Sequence, residues 1–530
     1  MVTRRSTHAN HARSGGAAKR SAQRRGSSAD GTLYAGGKKD ARGGHVGNVG
    51  GFGSGPGLGS TSTRAAVKRK TRGGASQKAG GAVAGGGAGG VHKRGGGSSG
   101  GDQGVRVPTP TGGEILLTRR HFLFGALGVG ALAAAGGGTS VLLKKREEEA
   151  ANDITVLEVP EANVTTLAVD DEESPFTKLD DAAERVELAG RYELPYGTLL
   201  WATGDDVAAC LLPNDTAKPL VHVGILSLGS GDLTTVLEEA VGQDDGFDVY
   251  DARATASGLV WTEANILEGI WRVYAARLSG GTLGEPQLLD EGDSDWETPT
   301  IAAAGSHAFW QVLPKVNGPY STEDSLVKRA AFGATEAEVA YTSHGRLCTP
   351  PYALANGVVI TPRADTSGTY YQLTLLDAES SEVRDTMVLP RAMRPLEAGY
   401  GDTGFTFSFD AWYQYGDGIS HIGTYTPLEG VSDGNYSDAP WFCYSRTPSA
   451  APAWCGGTFM VKSTRTVNGI DLATKQYFLI EAENGADDYG EYLASTGSNN
   501  VVVTYANIDD KPLNGEPKKY CLVRVWRPLA

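Results

Sequence analysis

The chain has few of the residues that form metal clusters or redox centres. Its 530 residues include only five cysteines, and no two of them form a CxxC pair. The histidines of its carboxyl-terminal part are not at HxH or HxxxH spacing; they are His222, His307, His344 and His421. The spacing therefore excludes a local motif of cysteine or histidine metal ligands, and such ligands would have to converge from distant segments.

The five cysteines all lie in the carboxyl-terminal three quarters of the chain; they are Cys210, Cys348, Cys443, Cys455 and Cys521. In an oxidising compartment Cys443 and Cys455 are near enough in sequence to close a short disulfide loop, and an odd total leaves at least one thiol unpaired. The alternative is that the cysteines are buried free thiols that pack as small apolar residues.

Long apolar runs are also absent, with one exception. Residues 122–143 contain no charged side chain and are long enough to cross a bilayer as a helix. Basic residues flank this segment on both sides, with Arg119 and Arg120 before it and residues 144–146 (KKR) after it. We therefore expect one apolar helix at residues 118–143, which separates two unlike parts of the chain.

The residues at the start of this segment follow a known pattern. They resemble a twin-arginine translocation signal, Ser/Thr-Arg-Arg-x-Phe-Leu-Lys, with a phenylalanine where the lysine is usual. The matching residues are Thr118, Arg119, Arg120, Phe122 and Leu123. The resemblance implies export of a folded domain. We expect either a retained membrane anchor with its amino terminus in the cytoplasm, or a secreted domain after cleavage near Ala133 and Ala135.

The first 117 residues have too few apolar side chains to form a folded core, and they are rich in Gly, Ser, Lys and Arg. Residues 1–120 carry 21 basic and 4 acidic side chains, whereas the whole chain has a net charge of −14, so the remainder carries about −31. We predict a disordered basic tail on the cytoplasmic side. Its Arg-Gly-Gly units, at Arg42, Arg72 and Arg94, suit nucleic acid or anionic lipid as partners, although aromatic residues for base stacking are scarce.

Helical periodicity is almost absent after residue 186, where short β-type runs alternate with turn residues. One element recurs, in which small residues and a turn precede several β-formers, as in residues 254–261 (ATASGLVW) and 354–361 (LANGVVIT). An alternating strand follows each copy, and the pair repeats with a period near 50 residues. A repeat of this length with about four strands is typical of a β-propeller blade.

In architecture this region resembles the TolB-like and WD40-like propellers. We predict an all-β fold of about seven blades at residues 187–530, after an acidic linker at residues 144–186; six blades or a pair of β-sandwiches are the alternatives. The last repeat is one strand short. Residues 187–194 are predicted to supply this strand and so to close the ring between the two chain ends.

The chain contains only incomplete matches to known catalytic and metal-binding motifs. Residues 430–434 (GVSDG) match the GxSxG pattern of hydrolases but lack the strand before and the helix after the serine that the motif requires. Acidic clusters at residues 244–245, 290–295 and 509–510 offer oxygen ligands for Ca²⁺ without the spacing of a calcium loop. We therefore predict no catalytic residue and no metal ligand, with Ca²⁺ as the one cofactor to consider.

Three tryptophans, Trp201, Trp261 and Trp310, are predicted to occupy matching places in three repeats, where they fill the core between blades or form a stacking surface for a ligand. With no catalytic constellation in sight, we expect a binding or scaffold module for a protein or glycan at the cell envelope. The alternative is an extracytoplasmic hydrolase or lyase with its active site on the propeller axis.

Overall fold

The computed structural model of the chain describes residues 105–108, 114–117, 154–169, 173–213, 221–366, 368–409, 418–420, 422–431, 434–512 and 515–529. Nearly all regular structure in these ranges is β-strand, and the helical elements there are short 3-10 turns at Glu161–Asn163, Ala182–Glu184 and Gln243–Asp245. None of the described helices is long and apolar enough to span a membrane. One hairpin, Val105–Pro108 with Glu114–Leu117, precedes the main domain in the chain.

The main domain is a β-propeller, which confirms the predicted fold class. Seven four-stranded antiparallel sheets follow one another, and we number them blades 1 to 7. The strands of the first three are Leu199–Thr203, Val207–Pro213, Val221–Ser227 and Leu233–Leu237 in blade 1, Asp248–Thr255, Gly258–Asn265, Ile270–Ser279 and Gln287–Gly292 in blade 2, with a short addition at Thr282–Leu283, and Ile301–Ala304, His307–Val312, Ser325–Ala331 and Glu338–Ser343 in blade 3.

Blades 4 to 6 repeat this order, and blade 7 combines strands from both ends of the chain. The strands are Tyr352–Leu354, Gly357–Ile360, Gln372–Asp377 and Val383–Val388 in blade 4, Pro395–Gly401, Gly404–Phe409, Thr424–Pro427 and Trp441–Tyr444 in blade 5, Ala453–Cys455, Thr458–Lys462, Thr466–Asp471 and Gln476–Glu481 in blade 6, and Tyr492–Leu493 with Ser495–Asn499, Val502–Asp510, Lys518–Pro528 and Val186–Pro195 in blade 7.

The ring closes as predicted. Val186–Pro195 forms the outer strand of blade 7 and pairs antiparallel with Lys518–Pro528 over nine residue pairs. Each first strand contacts the next blade, and blade 7 contacts blade 1. Seven separate apolar cores lie between successive blades. Because every inner strand is covered on both faces, second strands such as Gly404–Phe409 are buried along their whole length.

Small residues shape the tight turns between first and second strands. In blade 6 the turn is Gly456-Gly457, with φ values of +51° and +87°. Two consecutive left-handed residues match the right-handed twist of a two-residue hairpin, and glycine adopts them without steric cost. The small-residue and glycine element seen in the sequence therefore corresponds to this hairpin.

The segment predicted as an acidic linker lies partly on the propeller. Val164–Leu167 adds a fifth, parallel strand to the edge of blade 5, and Thr177–Lys178 does the same on blade 6. Val156 forms a parallel bridge to Val388 at the edge of blade 4. The chain thus covers the outer edges of three successive blades before it enters blade 7, and these strand edges are no longer open to pairing with other chains.

The propeller axis is occupied by the chain itself. The second half of the first strand of blade 7, Ser495–Asn499, pairs with the first strands of blades 6 and 1. It also crosses to the far side of the ring. The backbone N–H of Gly497 donates to the Tyr352 hydroxyl of blade 4 at 2.6 Å, and the Ser498 hydroxyl donates to Asp402 of blade 5. A single strand therefore fills the position where many propellers have a channel.

Candidate binding face

The loops of the propeller divide it into two faces. We call the front face the side at which first strands begin, together with the loops between second and third strands. Of the large apolar side chains that are exposed in the described residues, nine lie on this face: Tyr196, Val241, Ile266, Leu267, Val316, Tyr320, Leu396, Ile422 and Tyr489. Nine of the fourteen exposed large apolar side chains of the described residues therefore lie on one face, mostly on loops of several blades.

The loops of blades 2 and 3 carry the most prominent of these side chains. Leu267 is 99% exposed and Ile266 is 68% exposed, both at the hairpin tip of blade 2. In blade 3 the ring of Tyr320 stacks on Trp296 with centroids 5.7 Å apart. The stacked pair fixes both side chains, so an apolar partner would meet a preformed surface at little cost in side-chain entropy.

A group of arginines lies on the same face where blades 3, 4 and 5 meet. Arg346 donates to the carbonyl oxygen of Pro314 at 2.7 Å and to the carboxylate of Glu297. The guanidinium of Arg363 lies 4.8 Å from the centre of the Tyr371 ring. Gly345, at φ +132°, provides the space for Arg363, because a Cβ at residue 345 would lie only 3.0 Å from its side chain. We call Arg346, Arg363 and Arg394 the arginine cluster.

Cys348 lies within this cluster. Its thiol donates to the carbonyl oxygen of Pro395 at 3.1 Å. Burial raises the pKa of the Cys348 thiol to about 11, although the positive charges of Arg394, Arg363 and Arg346 oppose this shift. The thiolate is therefore a minor species at neutral pH, and Cys348 is poorly suited to act as a nucleophile.

Lys462 is another residue of the front face whose pKa is shifted. Its ammonium donates to the carbonyl oxygens of Thr464 at 3.1 Å and Tyr489 at 2.8 Å. Burial lowers the pKa of Lys462 to about 8, while the carboxylate of Glu491 opposes this shift. Glu491 itself pairs with Arg524 at 2.8 Å. The ammonium thus links loops of blades 6 and 7, and its two hydrogen bonds compensate for its burial.

The buried carboxylates of the first strands are paired with arginines. Asp251 and Arg253 of blade 2 bind each other, and Glu397 of blade 5 pairs with Arg446. Most other positions of the first strands are small, as in the run Ala302–Ala304. Among the described first strands, the buried carboxylates thus form ion pairs, and a strand such as Ile301–Ala304 presents mainly alanine.

The three predicted tryptophans do not share one structural position. Trp261 and Trp310 lie on second strands, are fully buried, and donate through their indole N–H groups to Glu263 at 2.9 Å and Asp290 at 2.7 Å. Trp201 lies on a first strand, so the predicted match with the other two is wrong. Trp201 is 6% exposed, and the guanidinium carbon of Arg253 lies 4.1 Å from the centre of its ring. A ligand-stacking role for these residues stays a prediction.

The histidines do not come together in the described part of the chain. His222 contacts Glu238, His344 contacts Asp324, and the Nδ1 atom of His307 lies 3.5 Å from Glu379. His421 lies outside the described residues. Among the residues that the structure describes, no group of three or more His, Cys, Asp or Glu side chains is arranged to hold a metal ion. The predicted Ca²⁺ stays untested, and Asp290 and Asp509 of the acidic clusters pair with lysines instead.

All five cysteines are free, so the alternative of a disulfide between Cys443 and Cys455 is wrong. Both side chains are fully buried between blades, as are Cys210 and Cys521, where they pack as small apolar residues. The GVSDG motif cannot be placed, because Ser432 and Asp433 lie outside the described residues. The same holds for the twin-arginine residues Arg119, Arg120, Phe122 and Leu123, the anchor at residues 122–143 and most of the 1–117 tail.

The arginine cluster is the feature that sequence reasoning missed. A weak signal existed, since Arg363 follows Pro362 and Arg394 precedes Pro395, so both stand at strand ends. Arginine beside proline at a strand end is nevertheless common in loops. The cluster can be recognised only in the folded structure, because three separate loops bring these arginines together.

Comparison with known proteins gives fold-level likeness only. No protein-family model matches the chain, and no curated protein matches it. A prolyl endopeptidase structure is 10% identical with a TM-score of 0.41, covering 80% of this chain and 56% of that one. The propeller domain of the trilobed protease from Pyrococcus furiosus is 10% identical with a TM-score of 0.38, covering 63% of this chain and 98% of that domain.

An oligogalacturonate lyase in complex with manganese is 7% identical with a TM-score of 0.37, covering 64% of this chain and 96% of the lyase. The chain spans little more than half the length of the endopeptidase. At these identities and TM-scores, the likenesses carry no argument about activity.

Proposed function

We propose that the protein is an exported or membrane-anchored β-propeller that binds a protein or glycan partner at the cell envelope through its front face, without catalysing a reaction. The observation that carries this proposal is the group of nine exposed apolar side chains on the front-face loops. The filled axis supports it as well, because an axial active site needs an open funnel with unpaired ionisable groups.

The charge distribution favours a protein or glycan over the membrane surface as the partner of this face. The chain beyond residue 120 carries a net charge of about −31. An anionic lipid surface would repel a domain of this charge. The predicted anchor at residues 122–143 would tether the propeller without requiring its loops to enter the bilayer.

The front face can be tested in cells with proximity labelling by a ligase fused after Ala530 of the full chain. We expect Leu267→Glu to reduce labelling of the partner at least fivefold, because a charge at the centre of an apolar contact costs more than about 1 kcal/mol. Leu288→Glu is the matched control, since Leu288 is exposed on the outer strand of the same blade. Equal loss in both variants would contradict the proposal. Turnover of peptides or oligosaccharides by the purified chain, abolished by Lys462→Met, would replace it with the enzyme alternative.

Export has its own test. Replacing both Arg119 and Arg120 with lysine keeps the charge but removes the pair that a twin-arginine signal requires. We expect the propeller to remain in the cytosol, where added protease no longer reaches it in cells whose outer layers have been removed. Lys144→Arg with Lys145→Arg is the control that leaves the pair intact. Unchanged export of the double lysine variant would leave only the membrane-anchor interpretation of residues 122–143.

A further inference from the structure

The arginine cluster carries more positive charge than its surroundings neutralise. Of its three guanidinium groups, Arg346 pairs with Glu297. Among the residues that the structure describes, Arg363 and Arg394 form no salt bridge with a carboxylate; Arg394 bonds to Cys348, and Glu297 acts on it only at longer range. The cluster therefore retains about two positive charges on the front face of a strongly acidic domain.

One donor in the cluster is unsatisfied. The Nε atom of Arg363 is buried and has no hydrogen-bond acceptor. A buried donor without an acceptor is costly, more so for a charged group, so native structures rarely retain one without a reason. The backbone N–H of Arg363 is bonded to the Ser343 hydroxyl at 3.1 Å, and the side chain stacks on Tyr371. The residue is thus fixed in place while the Nε atom of its guanidinium lacks an acceptor.

The geometry suits a planar or tetrahedral oxyanion. A guanidinium group presents parallel N–H donors that match the oxygens of a carboxylate or a phosphate. Stacking on Tyr371 sets the plane of the Arg363 guanidinium in advance, which lowers the entropy lost on binding. The carboxylate of Glu297 already accepts a hydrogen bond from Arg346, which shows that a carboxylate fits beside these loops.

We propose that Arg346, Arg363 and Arg394 form a receptor for an oxyanion group, a carboxylate or a phosphate, on a ligand of the front face. The inference rests on the proposed binding role of that face. Arg363 and Arg394 bind the oxyanion directly, and Arg346 stays on Glu297 and adds to the local positive potential. Leu396, exposed on the first strand of blade 5 two residues after Arg394, offers an apolar contact to the remainder of the ligand.

Titration calorimetry on the purified full chain tests the receptor, with inorganic phosphate and succinate as separate probes at constant ionic strength in chloride. We expect saturable binding of one anion per chain, weakened about tenfold by Arg363→Gln and by Arg394→Gln, because each removes a charge-assisted hydrogen-bond donor. Arg384→Gln is the control, since Arg384 lies on the outer strand of blade 4 and pairs there with Asp377 of the third strand. The probe that binds with the higher affinity shows whether the receptor prefers a phosphate or a carboxylate.

Cys348 provides a second readout in the same chain. It is the only one of the five cysteines that is not fully buried, so slow alkylation reports on this thiol first. A bound anion neutralises the arginines whose charges lower the thiol pKa. We therefore expect saturating anion to slow Cys348 alkylation several-fold at pH 8.5, and Cys348→Ser to retain anion binding. This readout separates an anion in the cluster from one bound elsewhere.

Absence of saturable binding for both probes overturns the receptor, as does equal weakening by Arg384→Gln. Circular dichroism melts of each variant show whether a loss reflects unfolding, and Arg363→Lys, which retains the charge, should keep part of the affinity. The small anions bind without the macromolecular partner. A failure to detect anion binding therefore does not contradict the proposed binding role of the front face. Equally, a negative result for Leu267→Glu does not contradict the oxyanion receptor.

Discussion

Deletion of residues 1–195 is expected to abolish cooperative unfolding of the propeller. This deletion removes Val186–Pro195, the strand that supplies nine residue pairs to the carboxyl-terminal strand. It also removes Val186 and Leu194 from the cores that join blade 7 to its two neighbours. Each such apolar side chain contributes about 1.5–3 kcal/mol, and a whole domain is stable by only about 5–15 kcal/mol. The exposed edge of Lys518–Pro528 should then promote aggregation.

Two shorter deletions provide the controls. Deletion of residues 1–153 retains every strand of the propeller and should melt like the full-length domain. Deletion of residues 1–185 also removes the edge strands on blades 5 and 6, the Val156 bridge to blade 4 and buried side chains such as Leu157 and Phe176, but it keeps Val186–Pro195. We therefore expect a lower melting temperature with cooperativity preserved. Circular dichroism melts and size-exclusion chromatography distinguish these outcomes. A cooperative melt of the 196–530 fragment within a few degrees of the 154–530 fragment would show that ring closure contributes little.

The Arg446→Met variant is expected to lose about 3–5 kcal/mol in its free energy of unfolding, because it leaves a buried carboxylate without its partner. Arg446 donates to Glu397, to Thr424 at 2.7 Å and to the carbonyl oxygen of Ala450 at 3.0 Å. Glu397 and Arg446 are 8% and 2% exposed, so water cannot replace these contacts. Arg384→Met, which breaks the exposed pair with Asp377, should cost at most about 1 kcal/mol.

The loss should depend on pH in a defined direction. Burial raises the pKa of Glu397 above its ordinary value of 4.5, and Arg446 opposes that shift. Without the arginine the folded-state pKa rises further. A carboxyl whose pKa is raised by folding stabilises the fold below its unfolded pKa and loses that contribution as the pH rises through the folded value. The defect of Arg446→Met should therefore be smaller near pH 4.5 than at pH 8, in urea titrations at both values.

A second substitution separates the ion pair from general packing. Glu397→Leu in the Arg446→Met background removes the unpaired carboxylate, and buried ion pairs replaced by apolar residues are often neutral in stability. We expect the double variant to recover more than half of the loss and its pH dependence to vanish. Equal stability of single and double variants at pH 8 would contradict the assigned role of Glu397.

The sequence correctly predicted the repeating part of the fold because the responsible interactions are local. Hairpins such as that at Gly456-Gly457 are specified by the turn residues and the alternation around them. The count of about seven units and the closing strand at residues 187–194 followed from the period and from one missing strand. The Trp201 match failed because a period near 50 residues tolerates a shift of one strand, which moves a residue from a second strand to a first.

The candidate site could not be predicted in this way. Arg346, Arg363 and Arg394 come from three loops, and their separation in sequence gives no sign that they meet at Cys348. Exposed apolar residues such as Ile266 and Leu267 were visible in the sequence, but only the common orientation of the blades places them on one face with Tyr196 and Tyr489.

The sequence by itself thus determined the all-β class, the blade repeat, the ring closure and the division into a basic and an acidic part. These depend on composition and on contacts between neighbouring segments. Only the tertiary structure decided that Ser495–Asn499 fills the axis, that residues 156–178 cover the edges of three blades, and that arginines gather on the front face. Each of these depends on contacts between residues far apart in the chain, which become neighbours only when the ring has closed.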